Sequence, residues 1–154
     1  MIENEFKITQ FNKVVLEGKA TWWQMYLPSG DVIFGDAKAK MLGYPENKFK
    51  NYEDFTKLLH PDDYKKAMKA MKDHMEGKKP VYETVYRIKN KSGKYISFYD
   101  CGQITKREGK NLTAIGFVMK VDEKEDVLKQ MKHFKELIIE GEPSIVELVA
   151  KIRK

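Results

Sequence analysis

The sequence predicts an α+β domain in which a small sheet carries its helices on one face. Two observations point to this class. From Thr21 to Glu125 the order is two strand-like runs, several short helical runs, then three more strand-like runs. Turn signals at Pro28-Ser29-Gly30-Asp31 and Asn90-Lys91-Ser92-Gly93 join the first two strands and the next pair as hairpins. Such a half-barrel encloses a pocket and carries a helix out of the domain.

The expected boundaries are an N-terminal helical cap over residues 1–20, a central domain over 21–122 and C-terminal exit helices over 123–154. In the cap, Phe6, Phe11 and Val15 share one face and Gly18 is the stop. From Trp22 to Leu27 the residues alternate, with Trp23, Met25 and Leu27 on one side and Trp22, Gln24 and Tyr26 on the other. Val32-Ile33-Phe34 returns as the second strand. Asp36 is expected to cap a short helix carrying Ala39, Met41 and Leu42, with Gly43 as its left-handed stop. Asn51 caps another through Phe55, Leu58 and Leu59. At His60 a longer helix opens, with Pro61 at its first position and Asp62 and Asp63 opposing the positive helix end. Tyr64, Met68, Met71 and Met75 then recur at helical spacing as one apolar stripe.

Val81 to Lys89 and Tyr95 to Thr105 read as the second hairpin, and Leu112 to Val121 as the last strand. Asp122 with Glu125 forms a capping box. The helix it opens places Val127, Met131, Phe134 and Ile138 on one stripe. After Gly141-Glu142-Pro143, a second stripe carries Ile145, Leu148, Val149 and Ile152.

Composition excludes several classes. The chain's 154 residues and 42% hydrophobic content are enough for a core without metals or disulfides. The single cysteine, Cys101, rules out an internal disulfide framework or cysteine-rich metal site and suits a reducing cytoplasm. No apolar run has membrane-spanning length, and the start MIENEFK does not read as a signal peptide. The net charge of +6 is spread over lysines alternating with acids, and Arg87, Arg107 and Arg153 are the only arginines. A solvated surface explains that pattern better than a nucleic-acid face.

Several segments together resemble the PAS sensor domain, in the subgroup common in bacterial and archaeal sensor kinases. They are Leu27-Pro28-Ser29-Gly30, Gly35-Asp36 with Met41-Leu42-Gly43-Tyr44, and His60-Pro61-Asp62-Asp63. Tyr86-Arg87-Ile88 through Ser92-Gly93, and Gly116 with the strand to Asp122-Glu123-Lys124, complete the set. The resemblance covers roughly residues 21–126. It implies a five-stranded antiparallel sheet cupping a pocket beneath short helices, with flanking N- and C-terminal helices. It also implies a sensory role without catalysis, and output in a histidine kinase, cyclase or response regulator. Two departures stand out. Lys120-Val121-Asp122 replaces the family's Asp-Ile-Thr, which puts the usual polar link between sheet and exit helix in doubt. Phe98 stands where the subgroup often has Trp.

Trp23, Met25, Leu27, Phe34, Met68 and Met71 are expected to line a pocket or its adjoining core, with Ile115 and Phe117 as further lining positions. No coloured cofactor is expected. Haem sensors of this family use a histidine on the long helix, but His74 lies beside the methionine stripe and reads as a rim residue. Flavin adducts need a cysteine among the short helices, whereas Cys101 is in a strand, where it reads as half-buried. Noncovalent flavin stacking on Trp23 competes with its plainer role as core. The methionines read as a pliable core rather than a soft-metal site. His60 is explained by the helix start, and His133 by the surface of the exit helix. His133-Phe134-Lys135-Glu136 lacks the proline of a phospho-accepting histidine box, and no nucleophile-elbow, zinc or P-loop spacing is present. An apolar stripe needs a partner. Val127, Met131, Phe134 and Ile138 are therefore expected to pair in a homodimer, or else to cover the sheet near Trp22 and Tyr26.

Overall fold

The computed structural model describes residues 20–45, 48–121, 132, 135–136, 138–139 and 144–152. Strands β1 (Ala20–Leu27), β2 (Val32–Phe34), β3 (Tyr82–Lys89), β4 (Tyr95–Glu108) and β5 (Asn111–Lys120) form one sheet in the order β2-β1-β5-β4-β3. Every neighbouring pair is antiparallel. Helices α1 (Asp36–Leu42), α2 (Tyr52–Thr56) and α3 (Pro61–Met75) lie between β2 and β3 in the chain, and α4 (Ile145–Ile152) follows the sheet. The α+β class and the five-stranded antiparallel sheet are therefore as expected. β4 runs beyond Thr105 because a register shift between Ile104 and Lys106 lets the pairing continue to Glu108. The N-terminal cap, the Asp122 capping box, His133 and the stripe positions Val127, Met131 and Phe134 lie outside the described residues.

Period-two alternation sorts the strands into two buried faces. Trp23, Val32, Tyr82, Tyr86, Ile88, Phe98, Ala114 and Val118 pack with the short helices on the inner face. Trp22, Tyr99, Cys101, Ile115, Phe117 and Met119 pack on the outer face with Ile138, Ile145 and Val149. The expectation that Ile115 and Phe117 line the pocket is corrected here. Trp23 pairs with Gly116, so Gly116 shares the inner face with Trp23, and its neighbours on either side must point outward. Cys101 is wholly buried rather than half-buried.

Part of each sheet edge is occupied by the chain itself. At β2, Val32 N–H donates to the Lys50 carbonyl at 2.9 Å, and Asp31 bridges to Asn51. At β3, His60 N–H donates to the Arg87 carbonyl at 2.8 Å and Lys89 N–H to the Leu58 carbonyl at 2.9 Å.

The helix ends follow local chemistry. Asp36 is the first residue of α1 and not its cap, because the chain is still extended at Gly35, which takes the N-cap position without a side-chain bond. Asn51 caps α2 in a reciprocal box with Asp54. His60 Nδ1 accepts the Asp62 N–H at 3.1 Å, and Pro61 needs no partner at the helix start. Gly43 ends α1 at φ 79, ψ 15. Gly43→Val is expected to lower stability by roughly 1–2 kcal/mol, the strain of a branched residue in that region. A melting midpoint equal to wild type would remove the assigned stop.

Asp63 does more than oppose the helix dipole. Its carboxylate accepts Arg87 Nε and Nη2, both at 2.9 Å, and the Arg87 backbone N–H at 2.8 Å. This clamp ties the start of α3 to β3. The Arg87 guanidinium holds the Asp63 carboxyl down at about 2, below its ordinary 3.8. A depressed carboxylate contributes stability above its ordinary value and loses it as pH falls through the depressed one. The clamp should therefore be complete above about pH 4 and lost toward pH 2, at most about 2 kcal/mol because Arg87 is partly solvated. Chemical denaturation of wild type and Asp63→Asn across that window checks it. A stability gap that stays constant from pH 5 to about 2 contradicts the clamp.

Candidate functional site

Helices α2 and α3 arch over the inner face and leave a cavity of about 220 Å3 between themselves and the sheet. Trp23, Met25 and Leu27 of β1 line it, together with Met68, Met71 and Met75 of α3. The methionine stripe therefore faces the cavity, while Tyr64 at its head is exposed. Phe34 stands next to this space, edge-on to Phe55 at 4.9 Å between ring centroids. Exposed Pro28 and Lys72 mark the solvent side.

Trp23 lies where it does because two glycines make room. Gly116 pairs with Trp23 on β1 and with Gly102 on β4. A Cβ at Gly102 would come within 2.5 Å of the Trp23 ring, and one at Gly116 would crowd both that ring and the Cys101 carbonyl. The bare backbone thus accommodates the indole as part of the cavity wall. The ring meets Tyr82 edge-on at 6.0 Å.

The deep end of the cavity is polar, and these residues were not among those expected from sequence. Asp100, 5% exposed, accepts the Trp23 Nε1–H at 2.6 Å and the Tyr86 hydroxyl at 3.0 Å. Tyr82 lines the same cavity and adds to the polar groups that favour the charged carboxylate. Lys38, 0% exposed, donates from Nζ to the Tyr86 hydroxyl at 2.8 Å. Its ammonium lies 4.1 Å from the Phe55 ring centroid and 5.1 Å from that of Phe34. Burial lowers Lys38 to about 8, and the Asp100 charge opposes that shift. Burial raises Asp100, while Lys38 and the hydroxyl and indole donors pull it back. Burial and the Asp100 charge push Tyr82 and Tyr86 well above the usual phenol range, so both remain protonated donors.

A sequence signal for both charges existed. Lys38 is four residues before Leu42, on the buried stripe of α1. Asp100 alternates with Phe98 and Gly102 on the inner face of β4.

His74 is not a rim residue. It is buried, its Nε2 accepts the Ile104 N–H at 2.9 Å, and its Nδ1 is 2.9 Å from the Lys79 carbonyl. With Nε2 accepting, Nδ1 must carry the proton. Both ring nitrogens are thus engaged, Nε2 with β4 and Nδ1 with the loop after α3, and neither is available to an iron. Cys101 is on the face opposite the cavity, and burial pushes its thiol up to about 12. It cannot reach a ring bound beneath the helices. No group of residues with metal-ligand character occurs among the described residues.

The family model described as PAS fold matches residues 32–118. No curated protein matches the sequence. Among solved structures, a sensory box histidine kinase/response regulator from Burkholderia thailandensis is 22% identical, with TM-score 0.60, covering 87% of this chain and 96% of its own. The N-terminal domain of a diguanylate cyclase with PAS/PAC sensor from Marinobacter aquaeolei is also 22% identical, with TM-score 0.60 and coverage of 72% and 98%. A domain of the putative light and redox sensing histidine kinase from Haloarcula marismortui is 19% identical, with TM-score 0.59 and coverage of 73% and 99%.

Proposed function

Since the chain belongs to the PAS family, we propose that it is a non-catalytic sensory module. In this reading the cavity takes a small ligand, and its occupancy is relayed through the C-terminal segment to a histidine kinase or comparable output. One observation carries the reading: a cavity with apolar walls ends on a buried carboxylate that is already held in place by two donors. Such a mix of apolar lining and few oriented polar groups suits recognition of a small molecule. Similarity to domains named for kinases and a cyclase supports the kind of output.

The two faces of β4 supply a route for the relay. Asp100 faces the cavity, while its neighbours Tyr99 and Cys101 pack against Ile138, Ile145 and Val149. On the same side, the Tyr99 hydroxyl donates to Glu83 at 2.6 Å, and Lys135 Nζ donates to Glu83 at 3.1 Å. A ligand that shifts Asp100 would press on the strand that seats the C-terminal segment.

The protein as isolated is expected to be colourless, on the engagement of His74 and the placement of Cys101. A cytoplasmic setting belongs to the same proposal, resting on the single cysteine. No described helix is long and apolar enough to cross a membrane. Ile138 is already docked on the chain's own outer face, so the proposed homodimer would rest on Val127, Met131 and Phe134. An alternative reading is a ligand-free module for dimerisation or protein contact.

Native mass spectrometry and an absorption spectrum of freshly purified protein test the main reading. A retained small molecule, lost in cavity-filling Met71→Trp, is the expected result. A ligand-free spectrum with no response to any screened small molecule favours the alternative, and a strong Soret or flavin band overturns the colourless expectation.

A further inference from the structure

Resting on the small-ligand reading above, we infer that the cavity takes an uncharged aromatic molecule of one or two fused rings bearing a hydrogen-bond donor, which Asp100 accepts. Size sets the first limit. A dry apolar cavity of about 150 Å3 holds one benzene ring, and the 220 Å3 here leaves room for a second small ring. The walls set the shape. Trp23, Tyr82 and Tyr86 present aromatic surface from the sheet, and Met68, Met71 and Met75 close the space from α3. Thioethers pack favourably against rings and adapt to their outline, so a flat guest fits between the two layers.

Charge and hydrogen bonding set the chemistry. An ionised carboxylate is acceptor-only and offers about four positions. Trp23 and Tyr86 use two of those on Asp100, which leaves room for a donor from the guest. Asp100 lines the cavity, whereas the compensating Lys38 is not among the lining residues. The lining cation, Lys72, is exposed at the mouth, so an anionic group carried to the deep end would meet the buried carboxylate with no lining cation beside it. A cationic guest would share with Lys38 an acid that one positive charge already balances. An uncharged donor avoids both penalties.

Calorimetric titration of the wild-type protein with indole, its hydrocarbon isostere indene and the anion indole-3-acetate separates these requirements without altering the site. Indole should bind about tenfold or more tightly than indene, the margin of a hydrogen bond to a charged acceptor. Indole-3-acetate should bind more weakly than indole, and Met71→Trp should abolish indole binding. Equal affinity for indole and indene, or a preference for the anion, overturns the inference while leaving a small-ligand site in place. Failure of all three compounds to bind also overturns it. Native mass spectrometry of the same sample then tells whether the broader reading falls too, since a different bound molecule preserves that reading.

Discussion

Lys38→Met is expected to destabilise the domain by about 3–5 kcal/mol at neutral pH, the cost of stranding one member of a buried ion pair. Lys38 is wholly buried, and its ammonium supplies the positive charge facing Asp100 across the Tyr86 hydroxyl. Methionine fills much the same volume, so the loss is electrostatic rather than a cavity effect. Without Lys38, burial drives Asp100 further toward its neutral form. The folded variant then holds a proton that the unfolded chain releases near pH 4, so its stability falls as pH rises above that value. The deficit relative to wild type should be smallest near pH 4 and grow toward neutrality. Adding Asp100→Asn should cost less in the Lys38→Met background than in wild type, because the two positions interact. Urea denaturation of the four proteins at two pH values measures all of this. A Lys38→Met midpoint matching wild type at pH 7 would show that the pair contributes little.

Gly116→Val should have an effect of similar size, about 3–5 kcal/mol, from overpacking combined with loss of a charge-assisted bond. The new side chain meets hard neighbours on two sides, the Trp23 ring and the Cys101 carbonyl. Trp23 has little room to yield, being 2% exposed and bonded to Asp100 at 2.6 Å. Gly102→Ala tests the same wall from β4, where the added carbon would also approach the Ile115 carbonyl at 2.8 Å. Shrinking the ring should relieve part of the clash, so Trp23→Leu/Gly116→Ala should be more stable than the summed single effects. Strict additivity would argue that the glycine step does not exist to seat the indole.

The strands, the capped starts of α2 and α3 and the Gly43 stop were legible because each rests on a local rule. Alternation placed Trp23 and Met25 opposite Trp22, and spacing put Met68, Met71 and Met75 together. Ile115 and Phe117 were misplaced because an unbroken apolar strand alternates between two cores, and only its register with Trp23 tells them apart. The Lys38–Tyr86–Asp100 network was missed for a different reason. Its members come from α1, β3 and β4, and although spacing puts Lys38 and Asp100 on buried faces, nothing local shows that the three meet. The Asp63–Arg87 clamp was half visible. The helix start and the arginine strand were both recognised, but their contact spans 24 positions in sequence. His74 was read from its helix alone, where it falls beside the apolar stripe. Its burial comes from the Lys79 and Ile104 backbone groups of other segments.

The partly covered sheet edges bear on how this domain can meet another chain. An open edge strand is a template for β-augmentation, in which an extended peptide completes the backbone ladder. Here the segments around Lys50–Asn51 and Leu58–His60 already claim backbone groups of β2 and β3. A visiting strand would first have to displace them. The same bonds shorten the stretch of bare edge open to domain swapping and fibrillar stacking, to which half-barrels with bare edges are exposed. Where those bonds stand, at Val32 and at Arg87–Lys89, contact with another chain falls to side chains on helices and loops, where single substitutions can tune it.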